Sequence, residues 1–122
     1  LATPAISLLY ALEMQLDRME KEGMEKRFKR HEEMAELAQN WGREHFSLFA
    51  EEGYESPTVT TIKNTRKINV SNLIQELGKR GYAISNGYGK LKEITFRIGH
   101  MGDLTPEEVK ELLGEIEDIL GF

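Results

Sequence analysis

The feature that most constrains this chain is a change of period. Through the first fifty or so residues, apolar side chains recur every three or four positions, and from Thr58 that single pattern gives way to short β-branched and alternating runs interleaved with shorter helical ones. Ile6, Leu9, Leu12, Leu16 and Met19 form one stripe, widened by Leu8, which is the repeat of an amphipathic helix. Thr3 suits the N-cap and Pro4 the first helical position, where a missing N–H costs nothing. Gly23 predicts a break. A second helical pattern runs from about Met24 to about Ala50, with Phe28, His31, Ala35 and Ala38 on one stripe and Met34, Leu37, Trp41, His45 and Leu48 on its neighbour. Gly42 should weaken that helix locally by ~1 kcal/mol relative to alanine. Core packing is expected for Trp41 and for Met14, Met19, Met24 and Met34, all at helical spacing.

The second half changes character. Thr58-Val59-Thr60-Thr61-Ile62-Lys63 is rich in β-branched residues, which favour a pleated surface. Asn69 then caps a short helix carrying Val70, Leu73, Ile74 and Leu77 and closed by Gly81. Tyr82–Ser85 is a short strand, and Asn86-Gly87-Tyr88-Gly89-Lys90 is a loop, because paired glycines favour neither helix nor strand. Ile94–Ile98 is the next strand, with Ile94, Phe96 and Ile98 on one face and Thr95 and Arg97 on the other. Thr105-Pro106-Glu107-Glu108 carries the full signature of a helix start, a threonine cap, a proline at the first position and a glutamate at the third. Val109, Leu112, Leu113, Ile116 and Leu120 line that last helix. The expected class is α+β, with long N-terminal helices followed by a small three-stranded sheet covered by helices.

Composition excludes several functions. With 39% hydrophobic and 30% charged residues the chain is too apolar for a disordered tail. No apolar run approaches the ~20 residues of a membrane span, so no membrane partner is expected. There is no cysteine, which removes disulfides, thiolate zinc sites and cysteine nucleophiles from these 122 residues. A net charge of −5 lacks the basic balance usual in duplex-binding domains, so no nucleic-acid partner is expected, although it leaves room for a local basic patch. Lys26, Arg27, Lys29 and Arg30 do cluster, but among Glu22, Glu25, Glu32 and Glu33, and the Glu22–Lys26 and Glu25–Lys29 spacings read as a solvated helix face. The chain begins at Leu1 rather than Met and opens on no signal-peptide pattern. A piece of a longer protein is therefore expected.

Arg97 is the residue that stands out on chemical grounds. A guanidinium on a strand presents a planar fork that matches a carboxylate in two parallel hydrogen bonds, and Gly99 and Gly102 nearby would allow close approach. A solvent-facing arginine on a half-exposed strand is the commoner case for such a pattern. Gly87-Tyr88-Gly89-Lys90 superficially suggests a phosphate loop. A Walker loop, however, would need glycine where Ile84 stands and Ser or Thr where Leu91 stands, and a dinucleotide fingerprint would need glycine at Lys92. His31, His45 and His100 lack the spacing of metal ligands, so no metal is expected. No serine lies in a nucleophile-elbow context.

Three runs carry a family resemblance: Thr95-Phe96-Arg97-Ile98-Gly99-His100-Met101-Gly102, Thr3-Pro4-Ala5-Ile6-Ser7-Leu8, and Gly23 to His31. Together they resemble the C-terminal part of class V aminotransferases, in particular the alanine–glyoxylate and serine–pyruvate group of fold type I pyridoxal-phosphate enzymes. The resemblance implies that Arg97 binds the substrate α-carboxylate and that Asn86, Gly87 and Tyr88 lie near the substrate entrance. It points to Thr3, or its neighbour Ala2, as a contact to the cofactor phosphate of a partner subunit. It implies residues 1–22 as a helix leading from a large N-terminal domain absent from this sequence, and residues 23–122 as the small domain. The parent would be a cytoplasmic homodimer using pyridoxal 5'-phosphate to move an amino group between an amino acid (alanine, serine or aspartate) and a 2-oxo acid or glyoxylate. The family's cofactor-anchoring lysine and other catalytic residues lie upstream, so the fragment alone is expected to hold no cofactor covalently and to be inactive. Phosphoserine aminotransferases and cysteine desulfurases share this tail architecture. A stand-alone binding module, using Leu8, Leu9, Leu12 and Leu16 as an interface, is the rival from another class.

Overall fold

The structure, a computed structural model, describes residues 2–122. These fall into two compact units, one ending at Arg30 and the other comprising His31–Phe122.

The first unit holds α1 (Ile6–Glu22) and the start of α2 (Met24–His45). Gly23 makes the break, in the left-handed region at φ 87°, where glycine pays no Cβ penalty. The start of α1 differs from expectation. Ala5 is the N-cap, with no side-chain bond, so Thr3 and Pro4 stand outside the helix. None of the α1 side chains is buried, and Ile6, Leu9, Leu12 and Leu16 are each about half exposed. Met14 and Met24, which lie off that stripe, are exposed rather than in the core. The charge cluster is also arranged differently. The Glu22 carboxylate accepts from Arg27 Nη1 at 2.8 Å and from Arg30 Nε and Nη2 at 2.7 and 3.0 Å, not from Lys26. Those hydrogen bonds, Arg30 foremost, lower its pKa to about 2.

The second unit is α+β. After α2 come β1 (Ser47–Leu48), β2 (Val59–Lys63), α3 (Val70–Lys79), β3 (Ser85–Asn86), a 3-10 turn (Gly89–Leu91), β4 (Thr95–Gly99) and α4 (Pro106–Leu120). The sheet is antiparallel throughout, in the order β1-β2-β4-β3. It has one strand more than expected. The second helix stops at His45, short of Ala50, and Ser47–Leu48 instead pairs with Ile62–Lys63. Gly42 explains why this is allowed. A methyl group there would stand 2.9 Å from Leu48 Cδ2 and 3.3 Å from Ile62 Cγ1, so the glycine that weakens the helix also lets β1 and β2 lie against it.

Both local start signals hold. Asn69 caps α3 by accepting from the Asn72 amide, and Thr105 and Glu108 form a reciprocal capping box on α4. The second expected strand moves from Tyr82–Ser85 to Ser85–Asn86, because Gly81 at φ 87° and the Tyr82 amide, bonded to Leu77 O, are used to close α3. The core joins Met34 and Trp41 of α2, Ile62 of β2, Val70, Leu73 and Leu77 of α3, Phe96 and Ile98 of β4, and Val109, Leu113 and Ile116 of α4. Each such side chain is worth ~1.5–3 kcal/mol of burial. Trp41 also donates through Nε1 to Glu117 at 2.9 Å, tying α2 to α4. Ile94 is not on the core face as alternation predicted. It is exposed, because Glu93 at φ 65° turns the chain and the extended run begins only at Thr95.

Candidate functional site

Arg97 sits in the middle of β4, an inner strand. Residues directly opposite each other across an antiparallel pair share a face, so Arg97 lies in one row with Thr61 of β2 and Ser85 of β3. Phe96 and Ile98, on either side of it, are fully buried. Their burial fixes the strand and turns Arg97 to the opposite face, where it is half-buried. Its Nε donates to the main-chain oxygen of Asn86 at 3.2 Å. Among the described residues this is its one side-chain hydrogen bond. The Nη1 and Nη2 donors are left to receive a planar anion end-on, the geometry a carboxylate satisfies.

Asn86 and Gly87 come together with Arg97. The Asn86 side-chain oxygen accepts from the amides of Gly87 and Glu93, each at 2.8 Å, and its Nδ2 donates to Glu93 Oε1 at 2.7 Å. At Gly87 the chain passes so close to the following turn that a methyl group would stand 1.9 Å from the Leu91 carbonyl oxygen and 2.5 Å from Thr95 Oγ1. The segment is thus tightly held: the Gly87 amide also bonds Thr95 O at 2.8 Å, and the 3-10 turn follows. Tyr88 projects from it, 84% exposed. Thr3 is exposed and belongs to the other unit.

Glu93 was not legible as a site residue. Its carboxylate accepts from the Ser71 hydroxyl, from Asn86 Nδ2 and from the Val70 and Ser71 amides. Those bonds, led by Ser71, hold it below the ordinary carboxylate range against the cost of desolvation. A glutamate near a loop carries no local signal that it will reach a helix more than twenty residues away.

His100 is buried at the end of β4, with Nε2 2.8 Å from Thr60 Oγ1 and Nδ1 without a hydrogen-bond partner. Burial lowers its pKa and favours the neutral ring. Among the described residues no three His, Cys, Asp or Glu side chains gather as metal ligands, and no helix is long and apolar enough to cross a membrane.

No family model matches the chain. An uncharacterized aminotransferase of Methanocaldococcus jannaschii is 39% identical over 118 residues, 94% of this chain and 30% of that protein. The serine–glyoxylate aminotransferase of Arabidopsis thaliana is 32% identical, covering 97% of this chain and 30% of its own length. Among solved structures, an alanine–glyoxylate aminotransferase from Nostoc sp. superposes with a TM-score of 0.86 at 27% identity, over 98% of this chain and 32% of that one. The chain thus spans about a third of the length of the proteins it matches. The α+β fold and these relatives agree, and the chain belongs, as the counterpart of their C-terminal domain, to the class V pyridoxal-phosphate aminotransferases.

Proposed function

We propose that this chain supplies the substrate-carboxylate arginine of a complete aminotransferase, which moves an amino group between an amino acid and a 2-oxo acid. One observation carries the reading: Arg97 is set mid-sheet, with Nε tied to Asn86 O and its Nη pair left to receive an anion. The names of the relatives, serine–glyoxylate and alanine–glyoxylate aminotransferase, favour alanine or serine as donor and glyoxylate as acceptor. Donor and acceptor both carry a carboxylate next to the reacting carbon, so one arginine serves both half-reactions. We read the parent as a cytoplasmic homodimer, with Asn86 and Gly87 at the substrate entrance, Tyr88 at its rim, and Thr3 reaching the cofactor phosphate across the subunit boundary.

In this reading the lysine that anchors the cofactor belongs to the rest of the complete protein. Lys63, Lys67, Lys79, Lys90 and Lys92 are all exposed, whereas a cofactor ring must be held in a walled cleft with its own charged partners. When bound in the complete protein, pyridoxal phosphate supplies the electron sink for the transfer. The task left to this chain is positional. Arg97 grips the carboxylate in two hydrogen bonds and so presents the amino group and the Cα–H bond in one orientation, which lowers the barrier by pre-arranged geometry.

Arg97→Lys in the complete enzyme tests this. Lysine keeps the charge but loses the fork. Losing a charge-assisted hydrogen bond of ~1.5–3 kcal/mol corresponds to a KM raised about tenfold or more for both amino acid and oxo acid, with a smaller fall in kcat. Unchanged kinetics for both substrates would refute the assignment.

A further inference from the structure

Glu93 occupies a backbone conformation its residue type avoids. Its φ is 65°, a region where glycine is the usual occupant. A residue persists there only when its surroundings hold it, and such positions gather at functional sites.

Its carboxylate is what is held. Oε2 accepts from the Val70 amide at 2.8 Å, and Oε1 accepts from the Ser71 amide at 3.1 Å, from the Ser71 hydroxyl and from Asn86 Nδ2 at 2.7 Å. Val70 and Ser71 open α3. Amides of a first helical turn lack intrahelical partners and favour a negative charge, and the first turn of α3 has no acidic residue of its own. The Glu93 amide in turn donates to Asn86 Oδ1 at 2.8 Å. Asn86 is therefore gripped at both ends of its side-chain amide by one residue. The main-chain oxygen of that same Asn86 accepts from Arg97 Nε at 3.2 Å. The connection runs from the rigid end of α3, through Glu93 and Asn86, to the guanidinium. Every group facing the carboxylate is a donor, so a glutamine of the same shape would set its own NH2 against at least one of them.

We infer that Glu93 is a positioning residue for Arg97: it locks Asn86, and through it the guanidinium, in the orientation that receives a carboxylate. This rests on the carboxylate-binding reading of Arg97. Glu93 touches no substrate in this scheme and acts only through its neighbours.

The test is a set of variants in the complete enzyme: Glu93→Gly, Glu93→Gln, Arg97→Lys, and Glu93→Gly combined with Arg97→Lys. Glycine removes every carboxylate contact yet suits the backbone at this position, so the protein should still fold. Losing the anchor of one hydrogen-bonded group predicts a KM raised about tenfold in Glu93→Gly and about threefold in Glu93→Gln, with kcat within about twofold. In the Arg97→Lys background, Glu93→Gly is expected to add less than about a twofold change, because the group it positions is already gone. The inference is overturned if Glu93→Gly raises KM equally in both backgrounds, or if it lowers the melting temperature and leaves KM untouched. An Arg97→Lys enzyme with unchanged KM would give a different pattern, overturning the carboxylate reading itself and this inference with it.

Discussion

Replacing Gly87 by alanine is a demanding test of the site's geometry. Gly87 is not in the left-handed region, so the cost is purely one of space. The added methyl would stand 1.9 Å from the Leu91 carbonyl oxygen, 2.5 Å from the Leu91 carbonyl carbon and 2.5 Å from Thr95 Oγ1. Overlap with a backbone oxygen cannot be relieved by a side-chain rotation, so the two segments must separate by about an ångström. Overpacking of this kind costs ~1–3 kcal/mol and sometimes more. The separation also strains the Gly87 N–Thr95 O bond of 2.8 Å, worth a further ~0.5–1.5 kcal/mol. A total of about 2–4 kcal/mol follows, a large share of the ~5–15 kcal/mol available to a domain. Urea unfolding of the 122-residue chain measures it as a lowered midpoint at unchanged slope. Gly114→Ala is the internal control. Its methyl meets nothing within 4 Å inside α4, so it should stabilise the helix by up to ~1 kcal/mol. Because Asn86 adjoins Gly87, the substitution should also raise KM in the complete enzyme. A Gly87→Ala chain that unfolds at the wild-type midpoint would refute the close approach and the tightly held loop built on it.

Two further outcomes are expected. Burial, the largest cause, lowers the pKa of His100, so the unfolded chain binds its proton more readily. Stability from this group is present above the ordinary histidine value of 6.5 and is lost as pH falls from there toward the lowered folded value. Denaturation midpoints between pH 7.5 and 5.5 should fall more steeply for the wild type than for His100→Gln, and parallel slopes would contradict the assignment. The 122-residue chain mixed with pyridoxal phosphate should leave the spectrum of the free aldehyde unchanged and transfer no amino group. A shifted visible band that survives gel filtration would show an anchoring lysine within the chain.

Much of the second unit was readable from local rules. Asn69 and Thr105 each satisfy donors three residues away, so their caps depend on short-range geometry alone. The periodic positions Val70, Leu73, Leu77, Val109, Leu113 and Ile116 and the alternating Phe96 and Ile98 are all buried, as patterning demands. Arg97 stands out by residue type and strand face alone. The rules failed where a choice depends on a distant segment. Nothing near Leu48 announces a strand; it becomes one because Gly42 leaves room for it. Helical spacing also predicts a core place for Met14 and Met24, but a side chain is buried only where another surface covers it.

The amino-acid sequence by itself determined the starts of α3 and α4, the break at Gly23 and the α+β class, and it marked Arg97 as a fork of the right shape for a carboxylate. These follow from steric and hydrogen-bonding preferences within a few residues. Only the tertiary structure decided what holds that arginine. Glu93 reaches back to Val70 and Ser71, Asn86 joins Glu93 to Arg97, and Gly87 packs beneath Leu91 and Thr95. Such contacts join segments far apart in the chain, and no local preference encodes them. They exist only once the sheet has formed and α3 has packed against it.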